Sequence, residues 1–387
     1  MTNPLLTFVQ IGRAAFVSLG HELAAWKPPL PRALFAAEAV LSVALAVAIA
    51  HWLNLSNTWW AAISGFAVMQ VSFSGSLERA MHRVLGTLLG ALLGAVIGPL
   101  IGDRPWLFIP VLGVIGGYCV YRANGTAFTY AWVLGGITSM MVTYEAHALA
   151  SLEKTASFAV LRVAEVLVGT LSCVLVATLF HFGIRWYRRM RPETPSATAA
   201  AAAQAAAAAP PPQAVHAARV LLGVQSGIAI AIIASLTYAL KLPGFQQALV
   251  TAVAVMVLPV ASLVVPDQRP VVQKMVQRLI GCLLAGAIGI ALLPLMNGQM
   301  LLCMAALSCG IWLGCHVQTG SAGASYVGRQ FTIAFIMVFV QDHQWSADPM
   351  PALLRLAGIL IGIVALGAVL LTSANLPPLR MPGEASP

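Results

Sequence analysis

Apolar residues run along the chain in stretches of about twenty, separated by short segments rich in polar residues, glycine or proline. A helix needs about 20 residues to cross the roughly 30 Å hydrocarbon core of a bilayer. The alternation of apolar and polar residues that indicates membrane-spanning strands is absent. The pattern therefore predicts an all-α membrane protein with about twelve transmembrane helices. The predicted spans are 33–53, 58–74, 84–102, 106–121, 126–144, 157–181, 219–239, 245–265, 279–296, 299–317, 325–341 and 352–373.

The charged residues support this class and give an orientation. Only 9% of the residues are charged, whereas a soluble domain has about 25%. With the N-terminus in the cytoplasm, sixteen of the 21 lysine and arginine residues fall in inner segments, as the positive-inside rule expects. The net charge of +9 therefore reports membrane topology and not a nucleic-acid partner, and both termini are predicted to be cytoplasmic.

A low-complexity segment rich in alanine and proline divides the spans into two sets of six. We predict an amphipathic N-terminal segment (1–30), a first six-helix repeat (31–191), a cytoplasmic linker (192–215), a second six-helix repeat (216–377) and a C-terminal tail (378–387). Because each half has an even number of spans, the two repeats should have the same orientation.

An internal sequence match supports the two repeats. "RVLGTLLGALLG" (83–94) aligns with "RLIGCLLAGAIG" (278–289), which places Arg83 on Arg278, and Arg162 aligns with Arg355. In transporters built from parallel repeats, substrate sites lie between the halves.

The N-terminal segment has its polar residues on one half of a helical wheel. This pattern is typical of a helix that lies on the membrane surface. A helix docked on the protein itself fits the same pattern.

Small residues recur at every fourth position in the third span. Such stripes let membrane helices approach closely, although glycine also leaves space along a pore. Packing and pore lining therefore both remain open. The glycines concerned are Gly86, Gly90, Gly94 and Gly98 in the first half and Gly281 and Gly289 in the second. Arg83 and Arg278 precede these stripes and are either membrane anchors or a holding site for an anion at the cytoplasmic entrance.

Few ionisable residues fall inside the spans, where each costs at least about 2.5–3.5 kcal/mol and usually has a partner or a task. Arg162 and Glu165 stand three residues apart on one helical face, so they could pair. Arg355 repeats Arg162, but Glu165 and Glu38 have no acidic counterpart in the second half. This pattern fits two functions. In one, the two arginines bind an anionic substrate and a carboxylate carries a proton; in the other, Arg162 and Glu165 form a passive ion pair.

Other candidate residues give weaker signals. Tyr130 and Gln70 could contact a ligand or form ordinary interhelical hydrogen bonds, and Trp59 and Trp60 fit an interfacial aromatic belt. The histidines and cysteines form no spaced ligand set, so we expect neither a metal nor another cofactor. No nucleophile has an evident base partner, and we expect that the protein is not an enzyme.

Two motifs carry a resemblance to a known family. Residues 58–91 resemble the fusaric acid resistance or aromatic acid exporter family, in which a Trp-Ala-Ala stretch precedes a Gln, a Ser-Gly loop and an Arg-x-x-Gly-Thr-x-x-Gly helix. "LRVAEVLVGT" (161–170) is similar to the family's later Arg-x-x-Glu-x-x-x-Gly motif. The matching residues are Trp60, Ala61, Ala62, Gln70, Ser74, Gly75, Arg83, Gly86, Thr87, Gly90, Arg162, Glu165 and Gly169.

The resemblance implies a proton-driven exporter of aromatic carboxylates or related toxic weak acids in the bacterial inner membrane. It also implies a periplasmic adaptor of the membrane-fusion type as a partner. Alternative functions are a passive organic-anion channel and a membrane scaffold that transports nothing. The glycine stripes leave a homodimer open.

Overall fold

The computed structural model describes residues 4–25, 29–149, 151–190, 212–240, 244–263, 268–341, 345 and 348–374, and within these ranges the chain forms fourteen α-helices and no strands. The first half contains α2 to α7 and the second contains α8 to α14. The helices are α1 (Pro4–Ala24), α2 (Leu30–Trp52), α3 (Thr58–Ala67), α4 (Phe73–Ile101), α5 (Pro105–Ala123), α6 (Thr129–Leu149), α7 (Leu152–Met190), α8 (Pro212–Leu240), α9 (Phe245–Ala254), α10 (Val260–Leu263), α11 (Arg269–Met296), α12 (Met300–Gln318), α13 (Ser325–Phe339) and α14 (Met350–Ala374).

Every predicted span contains a helix, but the helices differ in length. Eight of them are long and apolar enough to cross a membrane: α2, α4, α5, α7, α8, α11, α12 and α14. The 21-residue α6 is long enough but not apolar enough to belong to this group. Since α3, α9 and α13 are shorter still, the number of spans in the bilayer stays a prediction.

Two of the predicted spans are broken. The span predicted at 58–74 is a ten-residue helix, α3, which ends at Ala67. The span predicted at 245–265 contains another ten-residue helix, α9, and the four-residue α10. Residues 68–72 and 255–259 between the helices are non-helical, and Pro259 lacks the backbone N–H that a helix continuous through this position would use.

Several long helices begin earlier than hydropathy predicts. The helix expected at 84–102 starts at Phe73, where the Ser72 hydroxyl accepts a hydrogen bond from the Gly75 N–H at 3.2 Å. Such an N-cap starts a helix irrespective of the polarity that follows. Arg83 therefore lies inside α4, about 15 Å from its start at a rise of 1.5 Å per residue, and not at a helix mouth.

The two halves contain similar helix contacts. In the first half α4 packs against α6 and α7, and α7 also packs against α2 and α3. In the second half α11 packs against α13 and α14, and α14 also packs against α8 and α9. The halves meet where α5 packs on α8, α2 on α12, α3 on α13 and α6 on α9.

The glycine stripes lie in tight helix contacts. A Cβ atom built on Gly86 or Gly90 would overlap the carbonyl oxygen of Ala131 or Gly135 in α6. On Gly94 and Gly98 it would lie 2.7 Å from the Ser139 carbonyl oxygen and 2.6 Å from the Ala146 Cβ. In the second half, Gly281 and Gly289 contact Val327 and Val338 of α13 in the same way, at 2.6 and 2.7 Å.

The junction of α5 and α8 also consists of glycine contacts. A Cβ atom on Gly113 would lie 2.9 Å from the carbonyl oxygen of Gly227, and one on Gly117 would lie 2.7 Å from that of Gly223. This junction joins the first half to the second.

The N-terminal helix α1 packs against α11 and α12 through Ala15, which is buried with Val276 and Val317. Near its end, the Glu22 carboxylate forms an ion pair with Arg32 at 3.1 Å. The opposite side of α1 exposes apolar residues such as Val9 and Phe16. This face is available to lipid.

The other predicted segments are only partly described. Most of the predicted linker (192–215) and the whole predicted tail (378–387) lie outside the described residues. The last four linker residues belong to α8, which begins at Pro212.

Gly90→Val should destabilise the protein, because its side chain would overlap the backbone of α6 and overpacking usually costs about 1–3 kcal/mol. Gly183→Val in α7 is the matched control, because a Cβ atom there meets nothing within 4 Å. Thermal unfolding in detergent should give a clearly lower Tm for Gly90→Val alone. Equal melting of the two variants would contradict the packing role.

Candidate functional site

The candidate site lies between the two halves, around the short helices. Each short helix is the second of its half, and each contacts the opposite half: α3 packs on α13 and α9 packs on α6. Residues Thr58 to Phe66 of α3 are all buried. In membrane transporters, short or interrupted helices at corresponding places in the two halves mark the substrate path.

Arg83 is buried between α3, α4 and α6, with 3% of its surface exposed. Its Nε and one terminal nitrogen donate to the Ser64 hydroxyl of α3 at 3.1 and 2.8 Å, and the other donates to the Tyr130 hydroxyl of α6 at 2.6 Å. The carboxyl end of α3 is held by the same tyrosine, whose hydroxyl donates to the Ala67 carbonyl at 3.5 Å.

Arg278 occupies the same kind of position in the second half. Its Nε donates to the Thr251 hydroxyl of α9 at 3.1 Å, and a terminal nitrogen donates to the Gln330 side-chain oxygen of α13. Both arginines thus bind a hydroxyl of a short helix. Both are buried inside the helix bundle.

A row of cations and aromatic rings from α3, α7 and α14 joins the halves near the start of α3. The Arg162 guanidinium lies 3.4 Å from the centre of the Trp60 ring, and Trp60 stacks on Trp59 at 4.0 Å. Arg355 lies over the Trp59 ring, 4.6 Å from its centre. Both tryptophans are buried, at 5% and 8% exposure, so they are not the interfacial belt that their position in the sequence indicated.

Glu165 is paired with Arg162 at 3.3 Å, and only 1% of its surface is exposed. Asn57, just before α3, lies beside its carboxylate. Neither Arg162 nor Glu165 lines one of the larger cavities between the halves. Glu38 is half-buried on α2, and among the described residues no hydrogen bond or ion pair reaches its carboxylate.

Two cavities of similar size lie at opposite ends of this interface. The inner cavity, at the predicted cytoplasmic end, has a volume of about 310 Å³ and is lined by Pro31, Arg32, Phe35, Met69, Gln70, Val71, Gln318, Thr319, Ser325 and Arg329. The outer cavity has a volume of about 300 Å³ and is lined by Trp59, Tyr144, Gly244, Phe245, Gln246, Gln247, Pro351, Leu354 and Arg355. Each combines arginine with aromatic and apolar side chains, a combination that can bind a planar anion.

The two non-helical breaks are held differently. The break after α9 is crossed by Asn124 of the first half, which donates to the Met256 carbonyl at 3.0 Å and accepts from the Leu258 N–H at 2.8 Å. Lys274 also donates to the Ala254 carbonyl there, at 3.3 Å. At the break after α3, the Gln70 N–H donates to the Ser76 hydroxyl of α4 at 2.9 Å, and Tyr130 of the same half holds the Ala67 carbonyl. The inner cavity opens beside this first break.

The structure thus brings together Arg83 and Tyr130, and separately Arg162, Glu165 and Arg355, while Gln70 lines the inner cavity. Sequence reasoning missed Ser64, Thr251, Gln330, Asn124 and Arg329. A comparison of the two short helices offers a signal for two of them, because Ser64 and Thr251 are each the seventh residue of α3 and α9.

In the part of the chain that the structure describes, no three histidine, cysteine, aspartate or glutamate side chains are close enough to hold a metal ion. The site chemistry therefore consists of guanidinium groups, aromatic faces, hydroxyls and carboxylates.

Comparison with known proteins gives one finding. Residues 32–211 match the sequence model of the Fusaric acid resistance protein family. No curated protein and no solved structure matches the chain. The matched region runs from α2 through α7 and includes Arg83, Arg162 and Glu165, which confirms the resemblance that the two motifs indicated. Through residues 32–211, a little under half of its length, the chain is therefore similar to the fusaric acid resistance protein family.

Proposed function

We propose that the protein exports organic anions across the bacterial inner membrane, along a path between its two halves. The observation that carries this proposal is the pair of arginine-lined cavities at opposite ends of one interface. Two further arginines, Arg83 and Arg278, are buried in the helix bundle. Cations in a low-dielectric interior attract an anion strongly.

The path is proposed to run between two repeats of the same orientation. The matching lengths of α3 and α9, and of α5 and α12, support this arrangement. The similar helix contacts within the halves support it too. A pseudo-twofold axis along the membrane normal would relate the repeats. Both termini would then be cytoplasmic, as the distribution of basic residues predicts.

The substrate is proposed to be an aromatic carboxylate or a related weak acid. In the inner cavity Arg329 offers a guanidinium group beside the apolar Phe35 and Met69. In the outer cavity Arg355 lies beside Trp59 and Phe245. A guanidinium binds a carboxylate through two parallel hydrogen bonds, while an aromatic ring packs against the apolar side chains. The family resemblance also implies a periplasmic adaptor, which would receive the exported acid.

Glu165 is the proposed proton carrier, because it is a buried carboxylate in the helix that also contributes Arg162. Protonation of Glu165 would release Arg162, and loss of the proton would restore the pair. The ion pair itself favours a second candidate, a passive anion channel, because a permanent pair needs no proton cycle. Transport measurements separate the two.

Glu165→Gln should remove the acceleration of anion transport by a pH gradient in proteoliposomes, because glutamine cannot carry a proton. Glu153→Gln is the matched control, since Glu153 is an exposed carboxylate on the same helix. Acceleration that persists in Glu165→Gln would reject proton coupling through this residue. Steady anion currents at symmetric pH would support the channel instead.

Arg329→Gln should weaken the apparent affinity for an anionic substrate by about tenfold or more, because a hydrogen bond to a charged group contributes roughly 1.5–3 kcal/mol. The measurement is the substrate concentration at half-maximal transport from the cytoplasmic side. Arg13→Gln in α1 controls for charge, because Arg13 is exposed and lies outside the cavity. Equal affinity in all three proteins would contradict a binding role for the inner cavity.

If the protein were instead a scaffold that transports nothing, substitution of Arg162, Glu165 and Arg355 by neutral residues should cause no phenotype.

A further inference from the structure

A second kind of site lies on the outside of the helix bundle, in a groove between α5 and α8. The groove has a volume of about 450 Å³ and an almost entirely apolar lining, which includes Val114, Gly117, Val220 and Val224. Val114 and Val224 are 69% and 53% exposed. The groove therefore faces the surroundings of the protein and is separate from the two cavities between the halves.

The length of the groove corresponds to one leaflet of a membrane. On α5 it extends from Pro110 to Tyr121, which is about 17 Å at a rise of 1.5 Å per residue. Half of a hydrocarbon core of roughly 30 Å is about 15 Å. Tyr121 is near the end of α5 and Val220 is near the start of the predicted span 219–239, so the groove extends to the predicted cytoplasmic surface.

Two arginines flank the inner end of the groove. Arg219 donates from Nε to the Tyr121 carbonyl at 3.2 Å, and its guanidinium lies 4.4 Å from the Tyr121 ring centre. Arg122 lies 5.0 Å from the Trp132 ring centre, and its buried Nε has no hydrogen-bond partner among the described residues. The ion pairs found in the described part of the chain involve neither arginine. Among the residues that the structure places, no carboxylate is paired with this positive charge.

We propose that this groove binds an anionic phospholipid of the cytoplasmic leaflet. One acyl chain would lie along the apolar groove, and the phosphate would bind Arg122 and Arg219. Basic pockets between transmembrane helices at the cytoplasmic side are suited to anionic head groups. A second copy of the chain fits less well, because a twofold axis along the membrane normal would bring four like-charged arginines to the same depth.

The lipid would bind both halves at once. The groove is built from α5 of the first half and α8 of the second, which touch through the contacts of Gly113 with Gly227 and Gly117 with Gly223. A seated acyl chain would cover this junction, so its binding should also raise the thermal stability of the full chain.

The test uses the purified full-length chain and native mass spectrometry with phosphatidylglycerol or phosphatidylcholine of identical acyl chains. We expect retention of phosphatidylglycerol in preference to phosphatidylcholine. Arg122→Gln/Arg219→Gln should weaken retention by about thirtyfold, because each arginine near an anionic lipid surface contributes roughly a factor of five. Arg104→Gln is the control, since Arg104 is exposed at the opposite end of α5. Equal retention by the wild type and the double variant, or an equal loss in the control, would overturn the proposal.

Val114→Trp tests the acyl chain separately, because the ring would fill the groove from an exposed position. It should reduce retention of phosphatidylglycerol while leaving the Tm in phosphatidylcholine unchanged, which shows that the variant is folded. Soluble glycerol phosphate should not compete. Competition at equal concentration would reassign the arginines to a free phosphate. Cross-linking of α5 in one copy to α8 in another, with no lipid retained, would reassign the groove to a dimer interface.

Discussion

A guanidinium group buried among membrane helices must find its hydrogen-bond acceptors and aromatic contacts within the protein, because hydrocarbon supplies none. Arg83, Arg162 and Arg278 are 3%, 3% and 4% exposed. Much of their coordination comes from the short helices, through Ser64 and Trp60 of α3 and Thr251 of α9. The positions of these helices are therefore tied to the arginines of the long helices, and together they determine the architecture of the interface.

The long helices were predictable from the sequence because their length and hydropathy are set by the bilayer. The breaks at 68–72 and 255–259 were not, since hydropathy does not record whether a backbone is helical. The start of α4 was missed for the opposite reason: Glu78, Arg79 and His82 make its first turns polar, although Ser72 caps them as a helix. Long-range partners such as Asn124 and Met256, 132 residues apart, leave no local pattern.

The halves share their architecture but differ in their polar contacts. The break after α9 is bridged by Asn124 and Lys274, whereas the break after α3 lies beside an arginine-lined cavity. The two halves also differ in their acidic residues, because Glu38 and Glu165 belong to the first half. The second half thus has a break that polar side chains bridge, and the first half carries the acidic residues. Such a division lets two halves with similar helix contacts differ in their polar side chains.

The short helices also have an electrical consequence. Each has ten residues, or about 15 Å at a rise of 1.5 Å per residue, which is half of a typical hydrocarbon thickness. Water in the inner and outer cavities would confine the transmembrane voltage to the thin layer between them. When a monovalent anion crosses this layer outward, its free energy falls by about 2.3 kcal/mol per 100 mV of inside-negative potential. The cell's resting voltage would then drive the expulsion of weak acids even where the proton gradient is small.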